Sequence, residues 1–225
     1  MSGRFYPSGE ALAEQVPPII YQDDSIVAFD KPSGLLSVPG IGPEKADCLV
    51  SRAQKVLPDA RIVHRLDRDT SGVIVLARDA DTHRELSRQF HDRETQKTYF
   101  AVVNGTVLGE DGVIEAPLRK DMENPPRHLV DHVQGKSAQT SWSVHKRAKD
   151  PMRTMLRFQP RTGRTHQLRI HACVLGHPIL GDDLYAPADI VTQSDRLMLH
   201  AAELIISHPQ SGQRLSLTAM VPFEV

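Results

Sequence analysis

Apolar and polar positions in this chain fall into short blocks, and most of the blocks are strand-sized. "IIYQDDSIVAFDKPSG", residues 19–34, reads as strand, turn at Asp23–Asp24, and strand, closed by the Lys31–Gly34 loop. Leu49, Val50, Ala53, Val56 and Leu57 recur at helical spacing within 47–58, with Pro58 as a stop. The pairs of apolar segments Ile62–Val63 and Val73–Ala77 read as buried strands. Asp79 is placed to cap a helix running to about His91, with Leu86 and Phe90 turned inward. "KTYFAVVNG", "GVIEAPL", "SAQTSWSVHK" and "MRTMLRFQP" predict further strands. "RTGRTHQLRIHACVLG", 161–176, predicts a glycine turn and a helix that stops at Gly176. "LMLHAAELIISH" and "QRLSLTAMV" predict a hairpin around Pro209–Gly212.

Strands outnumber helices and come in hairpins, which predicts an α+β fold on a mainly antiparallel mixed sheet with flanking helices. Residues 1–18, ending at Pro17–Pro18, are expected to be a mobile arm before one domain over 19–225. The proline- and charge-rich stretch 117–136 is expected to be a long functional or mobile loop.

Composition narrows the class without naming a task. The 225 residues are ample for a real core, and 40% hydrophobic with 24% charged residues is ordinary for a soluble globular protein. Met1–Ala11 lacks the apolar stretch of a signal peptide, and the longest apolar run, about five residues, falls far short of a membrane span. Cys48 and Cys173 have no metal-type spacing, so a reducing cytoplasm fits better than a disulfide framework. The formal net charge of −1 does not announce a nucleic-acid binder. Its distribution says more: between His145 and His171 eight Lys/Arg face one acid, Asp150. Such a stripe can attract phosphate or can be a solvated charged face.

"RIVHRLDRDTSGVIVLARD", 61–79, holds the sharpest chemical signal. Arg65, Asp67, Arg68 and Asp69 stand between two core segments. In an extended segment Arg65 and Asp67 share one side, with His64 and Leu66 on the other. A carboxylate beside a guanidinium stays ionised, fit for a nucleophile or base but poor as an acid. The same residues could equally be an ion pair bracing a turn, with Thr70-Ser71-Gly72 as the turn itself. In "RTGRTHQLRIH", Arg161 and Arg164 flank Gly163 at a helix N-terminus, a plausible phosphate site, or else a capped surface helix. His166 and His171 lie about 140° apart on a helix and share no metal-binding motif, so no metal site is expected. No nucleophile elbow, phosphate loop or dinucleotide fingerprint is present either.

Taken together these residues resemble the RluA family of RNA pseudouridine synthases. "HRLDRDTSG" is similar to its catalytic motif, "KPSGLLSVPG" to its upstream loop, and "KTYFAVVNG" to the strand bearing its active-site tyrosine. "RTGRTHQLRIH", "GHPILGDDLYA" and "LMLHAAELIISHP" resemble the remaining blocks, in the family's order, from about residue 19 to 220. The resemblance implies isomerisation of uridine to pseudouridine in a central RNA-binding cleft, with no cofactor and no metal. It implies Asp67 as the catalytic carboxylate, paired with Arg169, and Arg65 as the residue that helps hold a flipped base out. Asp67 would act either by attacking C1′ or by removing the C2′ proton to give a glycal. Tyr99 would stack on the uracil, Ile170 would wall it, and Lys31, Lys97, Arg164 and His166 would contact substrate. With the KPSG loop already at residue 31, no room is expected for the S4 domain that many relatives carry. The short form implies a cytoplasmic enzyme, monomeric and without a required protein partner. Its implied substrates are 23S ribosomal RNA and uridine 32 of the tRNA anticodon stem-loop. The rival classes are a nucleoside or RNA glycosidase and a non-catalytic RNA-binding module. Arg68 and Asp69 keep no role beyond bracing the turn.

Overall fold

Every residue of Ser71–Ala77 is buried, and the rest of the sheet is laid out around this strand. The computed structural model describes residues 16–225, so most of the expected arm over 1–18 lies outside the described residues. The strands in chain order are β1 (Ile19–Gln22), β2 (Ile26–Lys31), β3 (Arg61–Ile62), β4 (Ser71–Ala77), β5 (Gln96–Asn104) and β6 (Asp111–Glu115), then β7 (Leu118–Lys120), β8 (His128–Val130), β9 (Gln139–Lys149), β10 (Met152–Pro160), β11 (Leu199–Ser207) and β12 (Arg214–Thr218). The helices are α1 (Leu49–Gln54), α2 (Ala80–His91), α3 (Gln167–Val174) and α4 (Ala188–Val191). Among the described residues no helix is long and apolar enough to cross a membrane.

Ten strands form one sheet in the order β1-β2-β4-β11-β5-β10-β9-β6, with β3 added to β4 and β12 to β11. All pairs are antiparallel except β4 with β11, which meet in parallel at His200↔Ser71 and Ala201↔Gly72. Hairpins join β1 to β2, β7 to β8, β9 to β10 and β11 to β12, while β5 meets β10 and β11 antiparallel across long stretches of sequence. Gly72 is needed at the parallel junction: its φ is +111°, and a Cβ would stand 2.1 Å from the Ala201 carbonyl oxygen. Of the expected Thr70-Ser71-Gly72 turn, Ser71 and Gly72 therefore open a core strand, with Thr70 just before it, and the glycine serves a close approach.

Local chemistry explains most element ends. Asp79 accepts from the Asp81 and Thr82 amides at 2.9 and 2.8 Å and starts α2, whose Leu86 is buried. Helix α1 stops at Gln54, earlier than the apolar spacing through Leu57 implies, because Leu57 precedes Pro58 and the chain closes in a turn. The 117–136 stretch is no featureless loop: β7 and β8 pair as a separate two-stranded sheet, and Arg119 is ion-paired to Asp131.

Between β3 and β4, residues 63–70 belong to no strand, so their shape must come from elsewhere. It comes from 31–37. The fully buried Lys31 donates from Nζ to the carbonyls of Pro32 (2.9 Å), Leu35 (2.7 Å) and Arg68 (2.9 Å). Ser33 Oγ donates to the Asp69 carbonyl, and the Gly34 amide donates to that of Arg68. Ser37 Oγ donates to the Leu66 carbonyl and accepts from the Leu66 amide. Burial pulls the Lys31 pKa down to about 7, against the opposite pull of the Asp69 and Asp67 carboxylates. The expectation that Lys31 contacts RNA is thus corrected: its three donors are spent on backbone carbonyls beneath the loop.

Past the end of β3, His64 takes over as a partner for β4. Its Nε2 accepts from the Val75 amide at 3.1 Å, and its ring stacks on Phe90 at 4.4 Å. Burial, with help from the Lys97 charge, holds His64 at a pKa of about 3; burial holds His200 at about 4. Both are neutral when folded, while the unfolded chain takes up protons below about pH 6.5, so stability falls as pH drops from there.

Two predictions follow from these contacts. In urea unfolding, lowering the pH from 6.5 to 5 should cost the wild type about 2 kcal/mol more than His64→Gln, which accepts from Val75 without titrating. An equal loss in both would remove His64 as the source. Lys31→Met should lower unfolding free energy by about 3 kcal/mol, through the stranded carbonyls, and leave the salt dependence of RNA binding unchanged because no phosphate contact is lost. Weakened RNA binding at unchanged stability would return Lys31 to the contact set.

Candidate active site

The braced loop opens onto a cleft of about 660 Å³, counting its open mouth. Arg65, Leu66, Asp67 and Thr70 form one wall, Lys97 and Tyr99 from β5 the floor, and residues 162–169 at the start of α3 the facing wall. The alternation expected for 61–67 holds only in burial: Leu66 is buried against the core, Arg65 is exposed and Asp67 half-exposed, but all three border the cleft. Tyr99 is fixed from both sides, paired with Phe158 of β10 and Ala201 of β11. Burial and the Asp67 charge both push its phenol pKa up, so it is un-ionised at neutral pH.

Asp67 is the electrostatic centre of the cleft. Its charge acts on Arg169, His166 and Tyr99 around it and on Lys31 beneath. No residue is within ion-pair distance of its carboxylate among the described residues. The expected Asp67–Arg169 pair is corrected here. Arg169 gives its fork to the fully buried Asp182, Nε to Oδ2 at 2.9 Å and Nη2 to Oδ1 at 2.5 Å, and reaches Asp183 at 3.1 Å. The physical reason is burial: a guanidinium 2% exposed needs a carboxylate equally shielded from water. Arg169 still lines the cleft and supplies a fixed positive charge behind Asp67, while leaving the Asp67 oxygens uncommitted.

The facing wall owes its shape to Gln167. Its Oε1 accepts from Thr162 Oγ1 (2.8 Å) and the Arg164 amide (3.0 Å), and its Nε2 donates to Gln139 O and Thr140 Oγ1. This folds Thr162–His166 into a tight turn. His166 ends it in the left-handed region, φ +57°, just before α3 begins.

Of the residues expected at the site, Arg65, Asp67, Lys97, Tyr99, Arg164, His166 and Arg169 converge on the cleft. Lys31 does not, and neither does Ile170. Ile170 turns the other way on α3 and packs with Leu118, Ala138 and Tyr185 under the β7–β8 hairpin; the apolar lining comes from Leu66, Tyr99, Leu168 and Leu199. The basic stripe is not one face. Arg164 lines the cleft, Arg169 is buried, and Arg147 is held by Glu110 and the Val107 and Gly109 carbonyls. Sequence reasoning assigned no role to Gln167, Asp182 or Tyr185. The available signal for Asp182 was an arginine three residues into an apolar helix, which requires a buried acid somewhere.

The RNA pseudouridylate synthase family matches residues 25–173. The chain is 47% identical over 210 residues to the dual-specificity RNA pseudouridine synthase RluA of Vibrio vulnificus (strain CMCP6), covering 89% of this chain and 84% of that one. It is 45% identical over 205 residues to RluA of Escherichia coli (strain K12), covering 91% and 93%. Among solved structures, human RNA Pseudouridylate Synthase Domain Containing 1 superposes with a TM-score of 0.78 at 25% identity, over 94% of this chain and 86% of that one. A cleft built around an uncommitted aspartate, and these matches across nearly its whole length, place the chain in the RNA pseudouridylate synthase family, isomerases that act on RNA.

Proposed function

We propose that this protein isomerises uridine to pseudouridine in structured RNA, with Asp67 as the catalytic carboxylate. The observation that carries the proposal is the Asp67 carboxylate itself: it is braced from below, backed by a buried cation and left without an ion-pair partner among the described residues in an open cleft. The reaction breaks the C1′–N1 bond and forms a C1′–C5 bond; C5 loses a proton and N1 gains one. Electrons balance without an oxidant or reductant. A base within a stem-loop must first leave the stack, and the exposed Arg65 at the cleft mouth is placed to fill the space it vacates. Asp67 then acts at the ribose, by attack on C1′ or by removal of the C2′ proton. Arg169 holds positive charge beside it. The Tyr99 ring offers a stacking face for the detached uracil, and its phenol can relay away the proton lost from C5, taking it up on oxygen as its own proton passes on. Lys97 and Arg164 at the rim suit phosphate contacts. The family resemblance of the sequence blocks makes 23S ribosomal RNA and uridine 32 of the tRNA anticodon stem-loop the first substrates to test, and relatives described as dual-specificity enzymes are in keeping with two targets.

With transcripts of both RNAs, wild-type protein should form pseudouridine at discrete positions, and Asp67→Asn should slow turnover by roughly 10³-fold or more while binding RNA nearly as well. Full activity in Asp67→Asn would overturn the assignment and leave an RNA-binding module as the better reading.

A further inference from the structure

Tyr185 lies in "GDDLYA", between α3 and α4, and its hydroxyl makes two hydrogen bonds. It accepts from the His128 amide of β8 at 2.8 Å and meets His166 Nδ1 at 2.7 Å. Its ring is clamped as well: the guanidinium groups of Arg127 and Arg169 lie over it, 5.4 and 5.3 Å from the centroid. His166 and His128 touch edge to face at 5.6 Å. One phenol thus joins the tip of the β7–β8 hairpin, the buried Arg169 and the cleft-lining His166. His166 also keeps a left-handed backbone that a residue with a Cβ adopts only when its surroundings enforce it.

The direction of the proton between Tyr185 and His166 is decided by counting donors. The His128 N–H takes one lone pair of the phenol oxygen, and the phenol proton has no acceptor other than His166 Nδ1 among the described residues. Burial keeps the His166 pKa below its usual value, with the Arg169 and His128 charges acting in the same direction against Asp67. A neutral ring that accepts at Nδ1 carries its own proton at Nε2. Nε2 makes no hydrogen bond to the described residues and is not sealed off, and the residue lines the cleft.

We infer that Tyr185 is a positioning residue whose single hydroxyl anchors the β7–β8 hairpin to the cleft rim and fixes His166 as the Nε2–H tautomer, presenting an N–H donor to an acceptor oxygen of the nucleotide in the cleft. The nucleotide role rests on the uridine-isomerising reading above; the tautomer does not.

The test begins with the free, full-length protein, labelled with ¹⁵N at histidine. His166 should show the neutral Nε2–H tautomer, and Tyr185→Phe should shift it toward a mixture and raise hydrogen exchange at the His128 amide. A wild-type His166 protonated at Nδ1 would overturn the inference without touching the assignment of Asp67. Activity on a stem-loop RNA separates a tautomer role from a merely structural one. His166→Gln places an amide N–H where Nε2 stands and should stay within about threefold of wild type. His166→Asn tolerates the left-handed backbone but reaches only as far as Nδ1, and should lose about tenfold in kcat/KM. Equal activity of the two variants, high or low, would contradict the donor role even if Tyr185→Phe fails to fold.

Discussion

The cleft depends on one cation that never reaches it. Lys31, at the end of β2, spends its three N–H donors on three carbonyls, one of which, Arg68 O, belongs to the loop that carries Asp67. A loop without a ladder would sample many conformations. Here the lysine, two serine hydroxyls and the Gly34 amide replace the missing ladder with specific bonds from 31–37. Strand β4 and the close approach at Gly72 then fix the loop's far end to β11. The charges between two core strands are tolerable because each has an assigned place. Arg68 and Asp69 pair with each other at 3.0 Å, Arg65 stays in water, and Asp67 looks into the cleft.

The second constraint is how a buried guanidinium is neutralised. Because Asp182 carries the fork of Arg169, Asp67 receives positive potential without giving up its oxygens. A direct pair would have tied the carboxylate down, which suits a brace better than a nucleophile or base. Dividing the work between two aspartates neutralises the buried guanidinium and leaves the carboxylate proposed to react free to move.

The sheet was largely legible because strand-sized apolar blocks ended in recognisable turns, and Asp79 and Gly176 marked helix ends by their own chemistry. The convergence of Arg65, Asp67, Tyr99 and Arg169 on one cleft was legible only through the family blocks, since period and spacing could not bring β5 and α3 against a loop 30 to 100 residues away. What escaped were partners. Lys31 was expected at the RNA only through the family resemblance, and nothing local shows that three carbonyls await it. Ile170 follows Arg169 in sequence, but a step of 100° around α3 turns it to the hairpin. The β7–β8 hairpin was hidden because its strands are three residues long, too short for alternation to show.

The central claim is that Asp67 drives a rearrangement in which the base leaves N1 and returns through C5 without escaping the cleft. It is tested most directly by following RNA labelled with tritium at uracil C5 through a single turnover. Tritium should pass into water in step with pseudouridine formation, with no free uracil. Free uracil that keeps its tritium would contradict the claim and make the protein a glycosidase.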